Sequence, residues 1–271
     1  MSIYIITGAP GSGKTLSAVG RIRDYMRQGR KVATNLDLRP EYLVGMRNRQ
    51  TIIRLPDFPR PQDLFALGTG SGLGPDDYDE SKFGLCVLDE MGSWLNSRDW
   101  ASTEFREMFS WFTQSRKYHW DLILLIQDFE SMDKQIRQSL CEFVGRARRF
   151  DVLAKMVRLH VCTVRYGANP AGMKRERWWY RGRDLFRSYR TGQTFQREEI
   201  YTPAGPVDFR ASYSVLSAWH LVGRYRRPRR VSDVFRWILG GYLLLCIHCA
   251  ARWHGRSPRQ QAREWGLLRC G

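Results

Sequence analysis

The chain has 271 residues, a formal net charge of +17 and a pI near 10.1. Hydrophobic residues make up 43% and charged residues 26%, which excludes wholesale disorder and leaves room for one large α/β domain, or one domain with an appendage. So basic a balance points to a polyanionic partner, either nucleic acid or an anionic membrane face, unless the chain is merely arginine-rich.

Residues 2–7 are a short apolar run rich in β-branched and aromatic side chains, and read as a buried strand. No basic leader or cleavage site precedes them, so the N-terminal domain is expected to stay cytosolic. A glycine loop covers 8–13. Residues 14–28 then place Leu16, Val19, Ile22 and Met26 at helical spacing, and Gly29 ends that helix. Strands are expected over 31–35 and 51–55. The stretch 68–79 holds four glycines, Pro75 and several acids and reads as a mobile loop; its glycines are not spaced GxGxxG and no strand precedes them, which argues against a second phosphate loop.

Residues 85–88 form the next strand, closing on Asp89 and Glu90. A helix is expected over 101–115, an apolar strand over 122–126 ending in Gln127, and a helix over 131–144. Strands alternating with helices over 2–144 predict an α/β fold with a mostly parallel sheet and helices on both faces. Beyond it, 144–150, 155–166 and 177–180 read as β-strands joined by turns. Residues 146–230 hold twenty Lys/Arg against six Asp/Glu, interleaved with Trp178, Trp179, Tyr180, Phe186, Tyr189 and Phe195. That mixture suits single-stranded nucleic acid, a face near anionic lipid, or an ordinary β-domain whose aromatics are core.

The predicted organisation is a core over 1–145, a basic β-rich extension over 146–230, a transmembrane helix over 234–251 and a short tail over 252–271. The uncharged part of the apolar segment, 237–251, is fifteen residues, fewer than the roughly 20 that span hydrocarbon directly. Arg236 can snorkel outward, and Trp237 and Trp253 are placed like interfacial anchors. The densest basic run, 224–230, precedes it and favours a cytoplasmic side; arginines in the tail blur that assignment. The six cysteines lack zinc spacing and read as small hydrophobes or free thiols.

The chemistry concentrates in Gly8-Ala9-Pro10-Gly11-Ser12-Gly13-Lys14-Thr15, a full match to GxxxxGK[ST] with a strand before it and a helix after it. A triphosphate needs converging backbone N–H donors, which the glycines permit, and the helix N-terminus favours an anion. Lys14 adds a charge at the β- and γ-phosphates of ATP, and Thr15 supplies a hydroxyl to Mg²⁺. Asp89 and Glu90 sit where ligands collect in open α/β sheets. Asp89 is the candidate metal residue, and Glu90 the group that polarises the attacking water. Gln127, at the next strand end, is positioned to touch the γ-phosphate or the water, unless it only ends a strand. Arg98 and Arg116 are candidate arginine fingers, although a surface role suits them better.

Together these residues resemble the Zot (zonular occludens toxin-like) family, which includes the gene I assembly proteins of filamentous phages. The resemblance rests on MSIYIITGAPGSGKT at the N-terminus, TNLDL at 34–38, LCVLDEMG around Asp89, SRKYHWDLILLIQD at 115–128, DKQIRQ at 133–138 and YRTGQ at 189–193. It implies the P-loop type with an additional strand between the phosphate-loop strand and the acidic strand. It also implies a single-pass, inner-membrane, homo-oligomeric ATPase for virion assembly and extrusion, its ATPase domain cytoplasmic. Implied partners are the phage single-stranded DNA with its binding protein, coat protein, and an outer-membrane secretin. Ser115 stands where the family often has histidine, and the twenty or so residues after Ala251 are too few for a folded periplasmic domain, so toxin activity is not carried over. A soluble nucleic-acid translocase and a non-enzymatic, toxin-like interaction protein are the alternatives.

Overall fold

The computed structural model describes residues 2–74, 77–93, 102–129, 132, 137, 139–152, 157–167, 172–195, 200–202, 205–207, 211–221 and 231–265. Two compact units divide the chain, Met1–His220 and Leu221–Gly271. Arg98, the basic run 224–230 and most of 133–138 lie outside the described residues.

The strands are β1 (Ile3–Thr7), β2 (Val32–Thr34), β3 (Ile52–Arg54), β4 (Gly84–Leu88), β5 (Trp120–Leu125), β6 (Phe143–Val152), β7 (Val157–Tyr166), β8 (Lys174–Arg181), β9 (Ile200–Thr202), β10 (Gly205–Val207) and β11 (Tyr213–Val215). The helices are α1 (Lys14–Arg27), α2 (Pro40–Leu43), α3 (Pro61–Phe65), α4 (Thr103–Gln114), α5 (Gly182–Leu185), α6 (Ala218–Leu221), α7 (Val231–Trp253) and α8 (Pro258–Glu264).

One nine-stranded sheet runs β11-β3-β2-β4-β5-β1-β6-β7-β8. From β3 to β6 every neighbouring pair is parallel. The flanking strands β7, β8 and β11 are antiparallel. Strand β5 lies between β1 and β4, where an additional strand is expected. Strands β1, β4 and β5 are buried throughout, as central parallel strands covered on both faces must be.

The two-residue period of β1 divides the core between the faces. Tyr4 and Ile6 pack with Leu16, Val19, Ile22 and Met26 of α1. Ile3 and Ile5 pack with Phe105, Met108, Trp111 and Phe112 of α4. Ser102 begins α4 by accepting the Phe105 amide at 3.1 Å, an N-cap that satisfies one of the helix's orphan donors. Charge is also bound into this frame. Buried Asp121 accepts the Tyr25 hydroxyl at 2.8 Å and pairs with Arg30 at 2.9 Å.

The helix expected over 131–144 ends earlier, because Phe143 and Val144 already belong to β6 and pair with β1. The basic strands are a continuation of the main sheet, and residues 145 and 146 both fall inside β6. Their aromatics divide by face: Trp178 and Tyr180 are buried in the core beside α1, whereas Trp179 is exposed. Gly20 of α1 admits this contact, since a Cβ there would stand 2.5 Å from the Tyr180 ring.

In the second unit, α7 occupies the apolar run 234–251. Ile238, Leu239, Tyr242, Leu243, Leu244 and Leu245 are exposed on it. Among the described residues no helix is long and apolar enough to cross a membrane, so the spanning helix expected over 234–251 is not found there. Its uncharged run is shorter than the roughly 20 residues that hydrocarbon requires.

Candidate active site

The loop after β1 turns tightly into α1. Gly11 and Gly13 have φ of 75° and 94°, and Gly13 is the helix N-cap. A side chain at Gly13 would be strained, and its Cβ would fall 2.1 Å from His160 Nδ1 on β7. At Gly8 a Cβ would meet Ser12 Oγ at 2.7 Å and the Ala147 carbonyl of β6 at 2.9 Å. The loop is thus clasped between α1 and the first two basic strands, which demands glycine at both points.

Lys14 folds back over this loop and donates through Nζ to the Gly8 carbonyl at 2.7 Å and, more weakly, to that of Ala9 at 3.4 Å. Desolvation lowers its pKa, while Asp89 and Glu90 oppose the shift. Thr15 donates its hydroxyl to Asp89 Oδ2 at 2.9 Å. This bond joins the phosphate-loop helix to the end of β4, seventy-four positions along the chain.

Asp89 is 9% exposed. Burial pushes its carboxyl up to about 6, with the neighbouring Glu90 adding to the rise; the Glu90 amide, Thr15 and Lys14 pull the other way. Its second oxygen, Oδ1, accepts the Glu90 amide at 2.8 Å. That bond stabilises a backbone with φ of 56° at Glu90, a conformation that residues other than glycine adopt at a cost. Gln127 Nε2 then approaches both carboxylate oxygens of Glu90 at 3.3 Å. Thr7 fixes this strand end by donating to the Gln127 carbonyl at 3.2 Å. The ends of β1, β4 and β5 therefore bring Lys14, Thr15, Asp89, Glu90 and Gln127 together. This follows from the sheet order, because β5 separates the other two strands.

Sequence reasoning did not assign roles to Asn35 and Gln193. Asn35 is fully buried after β2. Its amide nitrogen donates to the Asp57 and Asp89 carbonyls, each at 3.1 Å, and its oxygen accepts the Asp89 amide at 2.8 Å. Gln193 in turn donates to the Asn35 carbonyl at 2.8 Å and accepts the Asp37 amide at 2.8 Å. Two backbone bonds, Arg39 N to Ser188 O at 2.7 Å and Arg190 N to Asp37 O at 3.2 Å, hold the 188–193 segment alongside. Tyr189, Arg190, Thr191 and Gln193 thereby line the same cleft as Lys14 and Asp89, a space of about 420 Å³. Burial and the charge of Asp89 push the Tyr189 phenol up to about 12. The YRTGQ run carried a signal of resemblance, but nothing in its composition placed it here.

Arg116 is engaged elsewhere. It donates to the Tyr78 hydroxyl at 2.7 Å and lies 3.7 Å from Glu80 on an exposed surface, which suits the surface role.

These residues fit a magnesium-bound triphosphate. Ser12 Oγ is buried with no hydrogen-bond partner among the described residues, in a loop whose glycines open its backbone. A hydroxyl and a buried carboxylate in contact are hard oxygen ligands, and Mg²⁺ takes few of these from protein. Among the described residues no cluster of three or more His, Cys, Asp or Glu forms an all-protein metal site.

The sequence model of the family described as "Zonular occludens toxin (Zot)" matches residues 2–176. The chain is 40% identical over 273 residues to the gene 1 protein of Escherichia phage If1, covering 92% of this chain and 73% of that one. It is 39% identical over 247 residues to the gene 1 protein of Enterobacteria phage M13, covering 84% of this chain and 67% of that one. The N-terminal domain of zonular occludens toxin from Neisseria meningitidis aligns at 20% identity with a TM-score of 0.41, over 70% of this chain and 98% of that structure. The family model spans more than half of the sequence and the phage relatives cover most of it, so the chain belongs to the Zot family.

Proposed function

We propose that this chain is an ATPase that drives the assembly and extrusion of a filamentous phage. The observation that carries the nucleotide chemistry is the Thr15–Asp89 bond at 2.9 Å beside the Glu90–Gln127 contact at 3.3 Å. The first would hold a metal and the second would hold a water-activating carboxylate. The 39–40% identity to phage gene 1 proteins supports the place of work.

The residues divide the labour as follows. The amides of Ala9, Gly11 and Gly13 would meet the phosphates, with Gly8 allowing the approach, while the Ser12 amide holds the turn through the Ala9 carbonyl at 3.0 Å. Lys14 leaves the loop carbonyls for the β- and γ-phosphates. Thr15 and ionised Asp89 would hold Mg²⁺, which when bound would supply positive charge beside the phosphates. Glu90 orients and polarises the attacking water, a contribution of about 10²–10⁴ in rate. Gln127 restrains Glu90 and reads the γ-phosphate position. Asn35 and Gln193 position Asp89 through its backbone.

We place the chain at the host inner membrane, anchored through the exposed leucine-rich surface of α7, with the nucleotide-binding unit on the cytoplasmic side. Homo-oligomeric action, exchange of the single-strand-binding protein for coat protein on the phage DNA, and docking to an outer-membrane secretin complete the reading by family. The test is phage yield from cells carrying Lys14→Ala or Glu90→Gln, with fractionation of the same cells. Both variants are expected at the membrane and without virion release. Normal yield from either removes the motor, and recovery in the soluble fraction without detergent removes the anchor.

A further inference from the structure

The sheet face opposite α1 is treated differently along its length. Over β1, β4 and β5 it is buried beneath α4. Over β6, β7 and β8 it carries Arg146, Arg148 and Phe150 on the first strand, Arg165 on the second, and Arg177 and Trp179 on the third. Registers Arg146↔Thr163↔Arg177 and Arg148↔Val161↔Trp179 set these side chains in rows across the strands. Together they line a groove of about 290 Å³.

Two features of the groove point to a ligand. Phe150 and Trp179 are 48% and 53% exposed, although the same strands bury Trp178 and Tyr180 on the opposite face. Among the described residues none of Arg146, Arg148, Arg165 and Arg177 forms an ion pair, and Arg165 donates to the Gly172 carbonyl at 2.8 Å. Guanidinium groups without a carboxylate partner repel one another mildly at a solvated surface, and a polyanion laid among them relieves that repulsion. Exposed rings between them present π-faces that an aliphatic or purely anionic ligand would not use.

We infer that this groove binds single-stranded nucleic acid, the arginines following the phosphates and Phe150 and Trp179 stacking on unpaired bases. An open sheet that displays aromatics and cations is a general solution to that problem. The concavity argues against a bilayer, which presents a flat surface to a protein. Paired bases in a duplex hide the faces that the rings would meet. The groove also adjoins the phosphate loop: β6 pairs with β1 up to Thr7↔Arg146, and Arg146 and Arg148 also line a cleft containing Gly8, Ala9 and Ser12. A strand held there lies one sheet position from the nucleotide. This inference rests on the assembly reading, to which it adds a place for the nucleic acid on the chain, and it is tested apart from the ATPase because binding is measured without turnover.

The test uses the full chain in detergent, a fluorescent oligothymidylate, and anisotropy at several salt concentrations. Affinity should fall steeply with salt. Trp179→Ala should weaken binding roughly 5- to 100-fold, with Trp179→Phe restoring most of it. Arg177→Ala should weaken binding and flatten the salt slope, with Arg177→Lys retaining the slope. Thermal melts of each variant establish that it folds, and the two conservative variants read the site if the alanine forms do not. Lys14→Ala should bind the oligonucleotide normally, which separates this result from any failure of the ATPase. No binding by the unaltered chain overturns the inference, as does equal or tighter binding of duplex. So does loss of binding to phosphatidylglycerol vesicles in the Arg177 and Trp179 variants with oligonucleotide affinity unchanged.

Discussion

The two walls of the nucleotide cleft are built by different rules. One wall is the loop of residues 8–15 with Asp89 and Glu90, the groups proposed to meet the nucleotide and its metal. The other is the segment 188–193, which arrives from beyond the basic strands and is held by backbone bonds to Asp37 and Arg39 and by the two amide bonds of Gln193. The first wall constrains residue type at each position, because only glycine tolerates the turn at Gly13 and only a cation answers the phosphates. The second constrains geometry, which many sequences can satisfy. Chemistry that demands particular residues leaves a motif, and support that demands only hydrogen bonds does not.

Substitutions should rank accordingly. Changing Glu90 to Gln removes the carboxylate proposed to polarise water while keeping its shape and its neighbour Gln127. Steady-state phosphate release should fall by about 10²–10⁴. A loss of less than about tenfold would move the catalytic role to the second wall.

Asp89 gives a smaller effect with a distinct pH signature. Its folded pKa of about 6 lies above the ordinary 3.8, so between those values the native state binds more protons than the unfolded chain. From this group, nucleotide-free stability declines as pH rises through that window, and the full penalty is present above about pH 6. Asp89→Asn should therefore stabilise the nucleotide-free protein at pH 7 by on the order of 1–3 kcal/mol, read by denaturant melts. The proposed Mg²⁺ site would need the ionised carboxylate, so in the unaltered chain magnesium-dependent nucleotide affinity should drop as pH falls through about 6. Unchanged affinity between pH 7 and 5 would remove Asp89 from the metal.

Gln193→Ala probes the second wall alone. It strands the Asp37 amide and the Asn35 carbonyl, each partly buried, at a cost of about 1–3 kcal/mol. Stability should fall by that amount, with nucleotide binding weakened only a few-fold. Loss of hydrolysis as complete as in Glu90→Gln would erase the distinction between the walls.

The same contrast explains what could be read in advance. The phosphate loop, the acidic strand end and Gln127 were legible because strand, loop and polar residue follow one another in sequence. The approximate positions of β1, β4, β5, α1 and α4 followed from apolar periodicity. The union of the basic strands with the main sheet was not legible. Alternation along β6 looks the same whether its neighbour is β7 alone or also β1, and the β1 pairing joins residues some 140 positions apart. For the same reason the aromatics could not be sorted: Trp178 and Trp179 are adjacent in sequence and face opposite ways. Asn35 was hidden because a buried amide that satisfies the Asp89 backbone has no spacing rule.

The most direct measurement compares nucleotide binding with phosphate release in the same preparation of Glu90→Gln, using a fluorescent ATP analogue and magnesium. The predicted result is binding within a few-fold of the unaltered chain, dependent on magnesium, with hydrolysis reduced by at least about a hundredfold. Hydrolysis at the unaltered rate, or binding that ignores both magnesium and Lys14→Ala, would contradict a catalytic centre built from the ends of β1, β4 and β5.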